Sequence, residues 1–386
     1  MPPLPSYFSD FLKEIRLAQT HIDDLKCGHR TLRKRLLEDE RLSPIIVSTF
    51  LQGSYRRATA IRPKGDKRSD VDVVVVTKLS QDDYSEPTQA LEEFIPFLDK
   101  YYEGKYSIQG RSIGIELSYV DLDLVITSAP SESEAGLLKA ESVTVDESID
   151  NISDWRLVKS WIAPDHRATS EAWRMLEKAQ KEAEWKLEPL YIPDRDAACW
   201  TPTHPLEQIR WTRDKNKCCN GHYVNVVKVV KWWRRINHPT PKYPKGYPVE
   251  HLVGQCCPDA ITSIAEGVTL TLEEIQRRYA VDVEEGRVPI LSDHGVPTHD
   301  VFKRITAEDF ATFYEQVTAA ATIARQAYDT DNITASVEGW RQLFGNKFPP
   351  PPPRDGDDGD DNRGGPGTSG FTPRTEASRI GGTRFG

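Results

Sequence analysis

The sequence predicts an α+β protein: a mixed sheet with helices in its first part, a mostly helical second part, and a tail that does not fold. Three observations carry this expectation. Short valine- and leucine-rich runs alternate with helical patterns up to about residue 126. Helical spacing dominates from about residue 150. The composition then breaks at five consecutive prolines, 349–353.

Taken in order, residues 7–41 read as helix. Tyr7, Phe8, Phe11, Leu12, Ile15 and Leu17 recur at near-helical spacing, and Ile22, Leu25, Leu32, Leu36 and Leu37 continue the pattern. Residues 45–51 are short and β-branched and run into Gln52-Gly53-Ser54. Residues 71–76 are almost purely valine, the mark of a buried strand. Residues 87–102 read as an amphipathic helix, 107–117 alternate moderately, and 119–126 form another strong strand pattern. Helices followed by three strands fit an α/β or α+β core, and the helical region behind them makes the whole α+β. Further helices are expected at 155–162, 169–186 and 224–236, then near 249–265, 271–280 and 307–328. The expected organisation is a core with an N-terminal helix over 1–150, a helical domain over 151–348, and a tail over 349–386. That tail has too few apolar residues to offset the entropy of ordering it, so disorder is expected.

A length of 386 residues suffices for two packed domains. With 38% hydrophobic and 28% charged residues, the chain has the balance of a globular protein with a sizeable surface. The formal charge is −9 and the pI about 5.6. Proteins that coat nucleic-acid phosphate are usually basic, so no large nucleic-acid surface is expected, while one small basic pocket is compatible. No run approaches 18 apolar residues, so no membrane span is expected. The opening residues show no basic segment followed by an apolar one, so a cytoplasmic protein without a signal peptide is expected. The six cysteines fit reduced thiols in that compartment. The pairs Cys218-Cys219 and Cys256-Cys257, with His204, His222 and His251 nearby, suggest zinc as one reading. No C-x-x-C spacing supports it, and buried or partly buried free thiols are the other reading.

The chemistry concentrates in three segments. They are Gly53-Ser54, then Ser69-Asp70-Val71-Asp72-Val73, then Val120-Asp121-Leu122-Asp123-Leu124. Side chains alternate along a strand, so Asp70 and Asp72 share one face of their strand, and Asp121 and Asp123 likewise share a face of theirs. If the strands are neighbours, at least three carboxylates converge. Crowded carboxylates repel unless a cation or proton intervenes. An oxygen-rich, sulfur-free set suits Mg²⁺, completed by waters and substrate phosphates. Two such ions can activate an attacking hydroxyl and stabilise the leaving oxygen of an in-line displacement, with Mn²⁺ as an alternative ion. The Gly-Ser turn offers a backbone N–H and a hydroxyl to phosphate oxygens. A lone Asp-x-Asp is usually a solvated strand face. Two of them, each interrupting an apolar strand, with Gly-Ser before the first, favour the metal reading.

This combination resembles the polymerase-β-like nucleotidyltransferases, and among them the bacterial CD-NTases, relatives of cyclic GMP–AMP synthase and oligoadenylate synthase. The segment from Gly53 to Pro63 is similar to their loop between the Gly-Ser turn and the first acidic strand. Val226-Val-Lys-Val-Val-Lys231-Trp-Trp-Arg-Arg235 and Lys245-Gly-Tyr-Pro-Val-Glu-His-Leu252 are similar to their helical-domain motifs, and Trp340 to Phe348 to the end of the fold. The resemblance covers about 1–348 and implies a bilobed fold with substrate in the cleft. It implies Asp70, Asp72 and Asp123 as metal ligands, with Asp121 as the rival for the third position. It also implies Gly53 and Ser54 at phosphate oxygens and Lys231 at the β- or γ-phosphate. Where relatives often carry serine before the tyrosine of the last motif, this chain has Gly246. Arg56, Arg57 and Arg62 are expected at the surface. The implied activity is template-independent synthesis of a cyclic di- or trinucleotide messenger from nucleoside triphosphates, ATP among them, in antiphage signalling. Implied partners are an effector that reads the product and a peptide-binding activator. The rival readings are nucleotide transfer to an RNA end or a protein side chain, and an inactive nucleotide-binding scaffold.

The chain ends Ile380-Gly-Gly-Thr-Arg-Phe-Gly386. A bare C-terminal glycine suits the narrow adenylating site of a ubiquitin-transfer-like enzyme, and some CD-NTases are conjugated in this way. Gly386 is therefore a candidate conjugation site.

Overall fold

The computed structural model describes residues 4–65, 67–128, 189–237 and 243–352. The N-terminal helical pattern divides in two. Helix α1 (Pro5–Ile15) ends where Arg16 turns extended, and α2 (Gln19–Glu38) restarts after it. The break lets each helix serve a different core. Phe8 and Phe11 of α1 pack among the later helices, whereas Leu25, Leu32 and Leu36 of α2 pack against the sheet.

The sheet begins with β1 (Ile46–Gln52), followed by a single helical turn, α3 (Gly53–Arg56), and β2 (Ser69–Thr77). The single helix expected over 87–102 is two, α4 (Pro87–Glu92) and α5 (Ile95–Tyr102). The hairpin β3 (Tyr106–Ile108) and β4 (Ile113–Glu116) and the long strand β5 (Val120–Ser128) complete the first run. The helices expected at 155–162 and 169–186 lie outside the described residues. Two strands the sequence pattern did not suggest follow: β6 (Leu190–Asp194) and β7 (Cys199–Thr203). They extend the sheet, so the second part of the chain is not purely helical. Both are short and carry prolines, Pro193 and Pro202, which hides their periodicity.

The strand order is β1-β2-β5-β4-β3, with β6 pairing β5 and β7. All pairings are antiparallel except β2 with β5, which is parallel. β2 is buried on both faces over its later half. Val71, Val73 and Val75 pack under α2, α4 and α5, and Val74 and Val76 pack with Val47, Phe50 and Ile192 on the other side. This is why the strand reads as an unbroken valine run.

The remaining described elements are helices: α6 (Pro205–Cys218), α7 (Tyr223–Asn237), α8 (Gly246–Cys256), α9 (Ile264–Glu284), α10 (Ala307–Asp329) and α11 (Ile333–Phe344). Their shared core includes an aromatic cluster that ties the chain's start to its end. Phe8 meets Trp340 edge-on at 5.1 Å, and Phe11 stacks on Phe344 at 5.0 Å. Cys219, Cys256 and Cys257 are buried free thiols, and Cys27, Cys199 and Cys218 are exposed ones. Among the described residues, no helix is long and apolar enough to cross a membrane.

Candidate active site

The parallel pairing of β2 and β5 positions the acidic residues. Its register sets Asp70 beside Asp121 and Asp72 beside Asp123. Neighbouring strands lie about 4.8 Å apart, so these carboxylates emerge close together. Val71, Leu122, Val73 and Leu124 point the other way and are fully or almost fully buried. The alternation that the sequence implied thus places all four acids on one sheet face, beside the turn that follows β1.

Gly53 is bound to this arrangement by geometry. Its φ of +76° is a left-handed conformation that side chains disfavour. A Cβ built there would lie 1.7 Å from Asp72 Oδ2. Only glycine lets the turn press against the aspartate. The loop then folds back on itself: the Ser54 carbonyl accepts from Thr59 N and Ala60 N at 2.9 and 3.0 Å. Ala58 takes a positive φ of 56°, which swings the Thr59 carbonyl toward α7.

Asp72 and Asp123 are shifted strongly. Burial, then repulsion from Asp123 and Asp70, pushes Asp72 up to about 7. Burial, then Asp70 and Asp121, pushes Asp123 up to about 6. Asp70 is exposed, and Asp121 is engaged by Arg68 Nε at 2.6 Å. Among the described residues, no three His, Cys, Asp or Glu side chains are gathered into a ready metal-holding group. The strands bring the acids side by side, where like charge raises the cost of keeping them all ionised. The set fits a hard divalent cation by its oxygen-only chemistry and by its charge, which a cation would relieve.

Gly53, Ser54, Asp70, Asp72 and Lys231 line one cleft of about 1370 Å³, whereas Asp121 and Asp123 are not among its lining residues. Asp123 sits one strand further, within 3.5 Å of Gln109 Nε2. Lys64, Lys67, Arg68, Arg235 and Lys245 also line the cleft, giving an acidic protein a locally basic pocket. Gly386 lies outside the described residues.

Lys231 is buried rather than solvated, with its side chain 10% exposed. Its Nζ donates to the Thr59 carbonyl at 3.1 Å and lies 3.6 Å from Glu250 Oε2. Burial lowers its pKa, and Glu250 works against that shift. A Cβ on Gly246 would come 3.2 Å from Lys231 Cε, so the glycine standing there leaves room for the lysine stem.

The sequence did not reveal Glu250 as the hub of this wall. Its two oxygens take Arg57 Nε at 2.6 Å and Thr59 Oγ1 at 2.8 Å. Arg57, expected at the surface, is 5% exposed, and Glu250 is 2% exposed. Burial alone would raise Glu250, but Arg57 and Lys231 outweigh it and hold it at about 2. The hub joins the Gly53–Ala60 loop to α7 and α8. Beside it, Tyr247 donates to Asp293, and Gln208 donates to both. One signal was available. Glu250 is a lone charge among Val249, Leu252 and Val253 on an otherwise buried helix, and such a charge needs a partner.

An acidic pair on parallel strands, a Gly-Ser turn pressed against it and a lysine across a basic cleft make an arrangement suited to nucleotidyl transfer. Residues 3–128 match the Second Messenger Oligonucleotide or Dinucleotide Synthetase domain. The chain is 51% identical over 360 residues to a cyclic AMP-AMP-GMP synthase of Enterobacter hormaechei, covering 92% of this chain and 94% of that one. It is 47% identical to a probable cyclic AMP-AMP-GMP nucleotide synthase of Salmonella paratyphi B, covering 97% of each. Among solved structures, the CD-NTase CdnG of Bradyrhizobium diazoefficiens in complex with GTP matches with a TM-score of 0.60 at 11% identity, over 89% of this chain and 95% of that one. The CdnC:HORMA-deltaN complex of E. coli MS115-1 matches with a TM-score of 0.57 at 14% identity, over 90% and 98%. The chain belongs to the bacterial CD-NTase family of cyclic oligonucleotide synthases.

Proposed function

We propose that this protein joins ATP and GTP into a cyclic AMP-AMP-GMP trinucleotide. The product follows the two relatives named for it, which match nearly the whole chain at about half identity. The observation that carries the catalytic reading is the register of β2 and β5, which sets Asp72 beside Asp123 next to the Gly53 turn.

Asp70, Asp72 and Asp123 would hold divalent cations, Mg²⁺ by the hardness of the donors. When bound, such ions supply charge that favours loss of the attacking hydroxyl's proton and steadies the leaving oxygen. Asp121, already paired with Arg68, is the poorer third ligand. Ser54 and the backbone of the Gly53 turn hold phosphate oxygens, and Lys231 neutralises the β- or γ-phosphate. The Glu250 hub keeps Lys231 and the Gly53–Ala60 loop in one geometry, so the triphosphate is held with its α-phosphorus toward the acids. A ribose hydroxyl oxygen then attacks the α-phosphorus, its proton leaves, and the bond to pyrophosphate breaks. Three such transfers close a trinucleotide and release three pyrophosphates. Catalysis is mainly positioning and charge neutralisation.

The wider reading is a cytoplasmic signalling enzyme of antiphage defence, with a core over 1–150, a helical domain over 151–348 and a tail over 349–386. A partner protein is supported by the CdnC:HORMA-deltaN complex of a protein with this fold, and a peptide-binding activator is the partner this reading names. Conjugation through Gly386 by a ubiquitin-transfer-like enzyme belongs to this reading, and deleting that residue should remove higher-mass conjugates in cells.

The test is incubation of pure protein with the four nucleoside triphosphates and Mg²⁺, then phosphatase treatment and mass spectrometry. A resistant product of two AMP and one GMP is expected. Product only on an added RNA or protein acceptor would overturn the cyclase reading.

A further inference from the structure

The cleft wall carries a cation, Arg235, with no anion beside it among the described residues. Arg235 follows Lys231 by four residues on α7, so both side chains rise from one helix face, about 6 Å apart along the axis. Both line the cleft. Four of the other cleft cations are answered by carboxylates. Lys231 and Arg57 share Glu250, Arg68 holds Asp121, and Arg111 holds Asp194 at 2.6 Å. Arg235 Nε and Nη2 are buried and have no hydrogen-bond partner among the described residues. The guanidinium lies 4.9 Å from the Trp232 ring, which steadies the charge but accepts neither N–H. Burial lowers its pKa, and no carboxylate works against that shift.

Arg235 lines the cleft, its buried Nε and Nη2 lack an acceptor among the described residues, and a guanidinium matches the paired oxygens of a phosphate. We propose that Arg235 binds a phosphate group of the bound nucleoside triphosphate, one helical turn along the cleft from the phosphate held by Lys231. This rests on the proposed function and extends it. Lys231 can leave a carbonyl for its phosphate, whereas Arg235 gives up no protein partner. Arg235 therefore contributes to triphosphate affinity without an exchange of bonds.

The experiment compares the full chain with Arg235→Met, which keeps the stem and removes the charge, and Arg235→Lys. Thermal unfolding, steady-state synthesis and calorimetric titration with inorganic tripolyphosphate are measured on each. Arg235→Met should unfold at the same temperature as wild type or higher, because an unanswered buried charge is gone. Its KM for triphosphate should rise roughly 10- to 100-fold with kcat within a few-fold, and tripolyphosphate binding should weaken equally. Arg235→Lys should recover part of the binding. Unchanged tripolyphosphate affinity in Arg235→Met overturns the proposal. A fall in unfolding temperature with KM unchanged also overturns it, by showing a purely structural residue. Wild-type protein that binds tripolyphosphate through Arg235 yet makes no cyclic product would reject the proposed function and keep this inference.

Discussion

Replacing Gly53 by alanine tests the central geometry with a single carbon atom. The backbone there has φ +76°, and a residue with a Cβ pays about 1–2 kcal/mol to stay in that region. The larger effect is local. The new Cβ would stand 1.7 Å from Asp72 Oδ2 and 2.7 Å from its Cγ. Ordinary carbon–oxygen contact needs well over 3 Å, so the carboxylate must retreat by more than about 1 Å or the turn must lift away. A displacement of about 1 Å at reacting groups costs on the order of 100-fold in rate. Gly53→Ala should therefore lower the unfolding temperature by only a few degrees while cutting kcat about 100-fold. Synthesis is followed by pyrophosphate release on protein first shown to be folded by circular dichroism. A kcat within twofold of wild type would refute the reasoning, since it would mean that Asp72 need not sit where the turn holds it.

Asp72→Asn should abolish product yet stabilise the metal-free protein at pH 8. The sign follows from a folded pKa raised from 3.8 to about 7. Between those values the folded state holds the extra proton, so stability falls as pH rises through that window, by on the order of a few kcal/mol. Melting curves in chelator from pH 4 to 8 should slope downward for wild type and flatten for the variant. Glu250→Gln leaves Arg57 and Lys231 buried with their shared anion gone, and should cost about 3–5 kcal/mol in denaturant unfolding. Asp121→Asn should keep synthesis within a few-fold, whereas Asp123→Asn should lose it; equal loss in both would reassign the third ligand. Phe8→Ala, which opens the cluster with Trp340, should cost about 3–5 kcal/mol by thermal or denaturant unfolding.

The primary structure alone singled out the candidate acids. Charge inside an apolar strand is costly, so Asp70, Asp72, Asp121 and Asp123 stood out against their valines and leucines. The same contrast of period and composition marked the α+β class and most helices. Only the tertiary structure decided which groups meet. The pairing of β2 with β5 is parallel and spans about fifty residues, and nothing in either strand states its partner or register. The break at Arg16 sends α1 to the helices and α2 to the sheet, because the partners of Phe8 lie more than 300 residues away. Arg57 and Glu250 are 193 positions apart, and neither segment names the other as its partner. Their burial together follows from long-range packing, which local spacing does not encode.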